Sequence, residues 1–146
     1  VLGKKKTVDN LDKVAIGLVQ EVVKETGAVL CLCSDWRLYW DIHQLGKELN
    51  LPILFKTPYY EGSKRGYEVQ HVVEGYQPSV YVVLDDTPDF LDSQQEFYVK
   101  VDSDNGVSYK NYEDMVRILN GEEERQYSPK DKQQDRNGSD VSLSRV

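Results

Sequence analysis

Along the first quarter of the chain, apolar side chains recur as Leu11, Val14, Ala15, Leu18, Val19, Val22 and Val23, the spacing of one helical face. A helix is expected here behind the basic lead Lys4, Lys5 and Lys6, capped by Thr7 or Asp9 and running to about Thr26, with Gly27 as its stop. The pattern then changes. Ala28-Val29-Leu30-Cys31-Leu32-Cys33 is apolar without alternation and breaks off at Ser34-Asp35, which reads as a strand covered on both faces. A helix is expected over about Asp41–Asn50, a short strand over Ile53–Phe55 after Pro52, and a loop over Thr57–Ser63, which carries Pro58, Tyr59, Tyr60 and Gly62. Lys64 to about Tyr76 reads as a helix with Val69, Val72 and Val73 inward. Strands follow at Val80–Leu84 and Phe97–Val101, and a last helix at about Tyr112–Leu119. From Gln126 onward only Tyr127, Val141, Leu143 and Val146 are apolar. So little apolar surface cannot offset the entropy of ordering, so residues 1–125 are expected to fold and residues 126–146 to be a disordered polar tail.

Alternating buried strands and helices predict an α/β domain built on a mainly parallel sheet. Ligands of such sheets sit beyond the carboxyl ends of the strands. Three predicted strands end in polar residues, Ser34-Asp35, Asp85-Asp86 and Asp102, and chemistry is to be sought there.

Composition narrows the choice. With 146 residues, one domain is expected. A net charge of −7 argues against broad duplex binding and leaves room for a local phosphate-binding patch. No apolar run approaches the roughly 20 residues that span a bilayer, and no signal-peptide core opens the sequence. With Cys31 and Cys33 as the two cysteines, a disulfide framework is ruled out and a reducing cytoplasm is the expected location. Within an apolar run these thiols read as buried structural groups, not as a metal pair. His43 and His71 have no partner at ligand spacing, and Asp102-x-Asp104-Asn105-Gly106 departs from a calcium loop and reads as a polar turn.

Asp85-Asp86-Thr87-Pro88-Asp89 places three carboxylates within five residues at a strand end. Such carboxylates repel one another unless a cation, hydrogen bonds or water compensates. Magnesium suits the pattern, since it takes one or two carboxylates together with phosphate and water. The plainer alternative is a solvated acidic turn. Ser34 offers a strand-end hydroxyl for a phosphate oxygen, or a turn residue. Lys64 and Arg65 open a helix, where cations and amides together hold an anion, or stand as surface charge.

The runs Leu32-Cys33-Ser34-Asp35-Trp36-Arg37, Arg65-x-x-Glu68-Val69, Leu84-Asp85-Asp86, and Asp102 to Gly106-Val107 occur together in an order and spacing that resemble the haloacid dehalogenase (HAD) superfamily phosphatases. The resemblance extends over about residues 1–120 and is strongest to the HAD domains of Swiss Army Knife RNA repair proteins. It implies a three-layer Rossmann-like fold whose first strand, central in the sheet, ends in Asp-x-Asp-Gly. The first aspartate of that motif attacks phosphorus and the second serves as acid and base. Carried onto this chain, phosphate binding falls to Ser34 and to Arg65 or its neighbour Lys64, and magnesium to Asp85 and Asp86. Arg37 matches the Trp-Arg element and is assigned to phosphate as well.

The sequence departs from the family at its start. No Asp-x-Asp-x-Val or -Thr is present, and Val1-Leu2 looks like the end of Asp-Gly-Val-Leu, as if the chain began just after the catalytic motif. Cys33 stands where the family usually has serine. The resemblance therefore implies a magnesium-dependent phosphatase domain acting on a phosphomonoester, a nucleotide or a nucleic-acid end, through an aspartyl-phosphate whose nucleophile strand is missing. A noncatalytic phosphate- or nucleotide-binding domain is the alternative. A receiver-like domain is a third reading, for which Asp35 is a poor phosphoacceptor because Trp36-Arg37 follows it at once. Without its central strand the sheet is expected to expose unpaired edges and to be marginal.

Overall fold

The computed structural model describes residues 12–121 and 141–144. Helix α1 (Lys13–Thr26) is capped by Asp12, whose carboxylate accepts from the backbone N–H groups of Val14 and Ala15. Thr7 and Asp9 lie outside the described residues. Gly27 ends the helix in the left-handed conformation (φ 70°), donating its N–H to the Val23 carbonyl. Strand β1 (Val29–Leu32) follows, then a 3₁₀ turn at Asp35–Leu38, α2 (Ile42–Leu49), β2 (Ile53–Lys56) and α3 (Arg65–Tyr76). Strand β3 (Val83–Asp85), a 3₁₀ turn at Asp92–Phe97, β4 (Tyr98–Lys100), α4 (Tyr109–Leu119) and β5 (Val141–Ser144) complete the order.

The five strands form one sheet in the order β2-β1-β5-β3-β4, every neighbouring pair parallel. Its two faces explain the unbroken apolar runs. Leu30, Leu32, Val82 and Leu84 pack with Ile16, Val19 and Val22 of α1, Leu45 and Leu49 of α2, and Met115 and Leu119 of α4. Cys31 and Val83 point the other way, to Val69 of α3 and Phe90. This is the three-layer Rossmann-like arrangement of the HAD fold, with helices on both faces of a parallel sheet.

Most strand and helix ends fall within a residue of the sequence reading, and two starts, those of β3 and α4, differ from it by three. Strand β3 starts at Val83, not Val80, because its ladders to β4 and β5 both begin there, while Tyr81 and Val82 are buried without a ladder. Helix α4 starts three residues before Tyr112, since Ser108 and Asn111 form a reciprocal capping box.

The tail needs a larger correction. Residues 126–140 lie outside the described residues, but Val141–Ser144, expected as coil, form β5 in the middle of the sheet. Val141 to Ser144 lie opposite Val29 to Leu32, and Leu143 and Ser144 lie opposite Val83 and Leu84. The physical reason is the slot itself. The resemblance places the family's first strand between β1 and β3, and a gap there would leave two rows of unpaired N–H and C=O groups in the sheet centre. Four residues too polar to make a core of their own pair with β1 along their whole length and with Val83 and Leu84 of β3.

Among the described residues no helix is long and apolar enough to cross a membrane.

Candidate functional site

Because all strands run the same way, their carboxyl ends share one edge. Ser34 lies just beyond β1, Asp85 and Asp86 end β3, and Asp102 lies just beyond β4. Helices of a parallel α/β unit run against the strands, so the Asp12 cap of α1 reaches the same edge. Ser34, Asp35, Asp86, Thr87, Asp102 and Asp12 line a common cavity of about 470 Å³.

Ser34 is only 4% exposed, and its Oγ has no hydrogen-bond partner among the described residues. It stands at the cap position of the 3₁₀ turn without capping it. A buried hydroxyl left in that state costs about 1–3 kcal/mol.

Arg65, the first residue of α3, joins the ends of β1 and β3. Its guanidinium donates to the Cys33 carbonyl and lies 3.7 Å from Asp35 Oδ1 and 3.9 Å from Asp85 Oδ2. Its backbone N–H donates to Asp89 Oδ2 at 2.8 Å. The helix start is seated tightly. A Cβ on Gly66 would come within 2.8 Å of the Leu91 nitrogen, and Gln94 bridges the Gly66 carbonyl and the Leu91 N–H. Lys64, one residue earlier, is exposed.

Asp85 is 1% exposed, and its Oδ1 accepts from the Thr87 N–H and hydroxyl. Burial pushes its carboxyl up to about 7, the neighbouring Asp86 adds to the rise, and the Thr87 bonds and Arg65 oppose it. The folded state therefore holds this proton across the range where the unfolded carboxyl, near 3.8, has lost it. The resulting stability is fully present below about pH 4 and is lost as pH rises through about 7, by a few kcal/mol. Urea melts in chelator at pH 5 and pH 8 are expected to show this loss, and Asp85→Asn should flatten it. Equal slopes for both chains would contradict this assignment.

Arg37 is placed differently from the other cations. It is 4% exposed, donates from Nη1 to the Cys33 and Ser34 carbonyls at 2.7 and 2.8 Å, and pairs through Nη2 with Glu68 Oε2 at 3.1 Å. Glu68, equally buried, also accepts the Tyr60 N–H at 2.9 Å. Arg37 thus fixes the loop that carries Ser34; like Lys64, Arg65 and Asp85, it is not among the residues that line the cavity. Cys31 and Cys33 are fully buried and form no disulfide. Burial raises both thiols, Cys33 to about 12, so they stay protonated at neutral pH.

The sequence pattern assigns no role to Asp12 and none of its own to Glu68, whereas Asp102 is expected at a strand end where chemistry is to be sought. The Asp102 turn is polar as expected, its carboxylate accepting from the N–H groups of Asp104 and Asn105, which hold it below the usual range. Gly106 (φ 74°) closes that turn against α1, where a Cβ would meet Asp12 Oδ2 at 2.9 Å. The usable signal for Asp12 was the direction of α1, which sends its cap to the strand-end edge.

The strands run parallel in one sheet with helices on both faces, and its carboxyl edge carries Ser34, Arg65, Asp85 and Asp86. The chain belongs to the HAD family: the family model for the HAD domain in Swiss Army Knife RNA repair proteins matches residues 2–112. No curated protein and no solved structure matches it. The family association is with metal-dependent hydrolases in general. Among the described residues no group of three or more His, Cys, Asp or Glu side chains is arranged to hold a metal ion.

Proposed function

We propose that this domain binds a phosphomonoester at the carboxyl edge of the sheet, with the phosphate on Ser34 and Arg65, Lys64 at the rim, and magnesium on Asp85 and Asp86. The buried, unpartnered Ser34 hydroxyl on the wall of a cavity shared with Asp86 carries this reading. Charge supports the cation. Asp12, Asp35, Asp86 and Asp102 surround the cavity, so a phosphate entering alone would meet net repulsion. Two adjacent carboxylates and room for water suit magnesium, which completes its octahedron with water and phosphate oxygens. When bound, the ion neutralises charge between the carboxylates and the phosphate. Arg65 places a guanidinium at the junction of β1 and β3, a geometry suited to phosphate oxygens, and Arg37 keeps the Ser34 loop in place.

In this reading the catalytic form hydrolyses the ester through an aspartyl-phosphate, with an aspartate attacking phosphorus and releasing the alcohol. The 146-residue sequence contains no Asp-x-Asp-x-Val or -Thr to supply it. One observation favours a noncatalytic phosphate-binding domain as the second reading. The strand in the central slot, β5, is Val141–Ser144 and carries no aspartate, whereas the family's strand in that slot leads into its aspartate pair.

Calorimetric titration with inorganic phosphate tests the site. Binding is expected to require magnesium and to weaken at least tenfold in Ser34→Ala and in Arg65→Met, the scale of one lost charge-assisted bond. No turnover of an aryl phosphate is expected. Unchanged affinity in both variants would remove the site, and turnover abolished by Asp102→Asn would identify Asp102 as a nucleophile.

A further inference from the structure

The cavity at the strand-end edge holds more negative charge than magnesium and the nearby arginines account for. Asp12, Asp35, Asp86 and Asp102 line it, and among the described residues no Lys, Arg or His does. Asp35 lies 3.7 Å from the Arg65 guanidinium and 3.9 Å from that of Arg37. Asp86 belongs to the pair assigned to magnesium above. Asp12 and Asp102 remain, and among the described residues neither forms an ion pair. Lys100 lies near Asp102 without pairing with it.

These two carboxylates are far apart in the sequence and are brought to one wall by the Gly106 turn. Asp12 Oδ2 lies 2.9 Å from where a Gly106 Cβ would stand, and Gly106 donates its N–H to the Asp102 carbonyl at 2.8 Å. Each carboxylate is pinned through Oδ1 by two backbone N–H groups, Asp12 by Val14 and Ala15, Asp102 by Asp104 and Asn105. The charges are therefore ordered before a ligand arrives, which lowers the cost of binding one. A second feature of the same cavity points to an occupant. Ser34 is 4% exposed, and its Oγ is unpartnered among the described residues.

The remaining lining selects the kind of cation. A metal ion needs donors that converge, and among the described residues no group of three acidic, histidine or cysteine side chains does so. Between the carboxylates the wall is apolar, with Val19, Leu84, Val101 and the indole-bearing Trp36. About 470 Å³ is the size of a small-molecule site. Separated carboxylates over apolar walls suit an alkylammonium, whose N–H groups donate to the carboxylates while its methylenes pack on the walls.

We infer that the ammonium group of an aminoalkyl phosphate occupies the Asp12–Asp102 end of the cavity, with its phosphate on Ser34 and Arg65. This rests on the phosphate-binding reading above and adds to it a positive charge on the alcohol side of the ester.

The test uses calorimetry in magnesium on two pairs of esters, 2-aminoethyl with 2-hydroxyethyl phosphate and 6-aminohexyl with 6-hydroxyhexyl phosphate. The members of a pair differ only in the terminal group, and the two lengths cover a short and a long reach. In at least one pair the amine is expected to bind about tenfold more tightly, the scale of one charge-assisted bond. Asp12→Asn and Asp102→Asn each keep an oxygen for the backbone N–H groups, so the cap and the turn stay while the charge goes. In the double variant the preference for the amine should fall towards one, and its binding of the hydroxyl esters shows that it is folded. Equal affinities within both pairs, with inorganic phosphate still bound, would overturn the inference and leave the phosphate site standing. Failure of all four esters and of inorganic phosphate would remove the phosphate site and the inference with it. A preference undiminished in the double variant would place the ammonium elsewhere and overturn the inference.

Discussion

A Leu143→Pro chain is expected to lose most of its cooperative stability. Leu143 sits opposite Cys31 on one side and Val83 on the other, so β5 is paired along both edges. Proline removes a ladder donor and is confined in natural sheets to edges and bulges. The cost at an interior position is on the order of 3 kcal/mol or more, by analogy with helix interiors. Ending the chain at residue 140 should be worse, since the β2-β1 and β3-β4 halves would then share no strand. Against a typical total of about 5–15 kcal/mol, either change leaves a marginal domain. Urea melts followed by circular dichroism, with light scattering to detect association of opened edges, provide the check. Midpoints equal to the parent's in both chains would mean that residues 141–144 contribute nothing to the sheet.

The second large effect is expected at the Arg37–Glu68 pair. Both residues are 4% exposed, and Glu68 also receives the Tyr60 N–H. Glu68→Ala leaves a buried guanidinium on the Cys33 and Ser34 carbonyls with the largely exposed Asp35 carboxylate at 3.9 Å as its remaining counter-charge, and removing one partner of a buried pair typically costs about 3–5 kcal/mol. Replacing both residues by apolar ones, Arg37→Met with Glu68→Leu, should recover much of that loss, because no uncompensated charge remains. Phosphate affinity should not recover with it, since the carbonyls of Cys33 and Ser34 would have lost the donor that sets the loop. A double variant as unstable as the single one would show that packing, not charge, is what the pair provides.

The contrast between what the sequence disclosed and what it hid has a physical basis. The run from Val29 to Leu32 was legible as a doubly covered strand because both faces of β1 are packed, so each residue carries the signal. Ser34, Asp85 and Asp86 were legible as strand-end groups for the same reason. Val141-Ser142-Leu143-Ser144 was not. Its pairing depends on a vacant slot between strands far away in the chain, and nothing in a four-residue polar-apolar alternation reports that. Asp12 was hidden in a similar way, because it meets the strand-end Asp102 in one cavity only after the helix directions and the Gly106 turn are set. Arg37 carried a family match, but only its burial shows that its donors hold two carbonyls and a carboxylate.

The position of β5 also governs the order of events when the chain folds. Residue 29 pairs with residue 141, so the central ladder closes a loop that includes nearly every other element. Closing such a loop pays its chain entropy before the contacts that reward it can form, and folding slows accordingly. Until then β1 with β2, and β3 with β4, are two half-sheets, each with one side of the slot open. During that interval any extended segment of suitable pattern competes for the place, whether it belongs to the same molecule or to its neighbour.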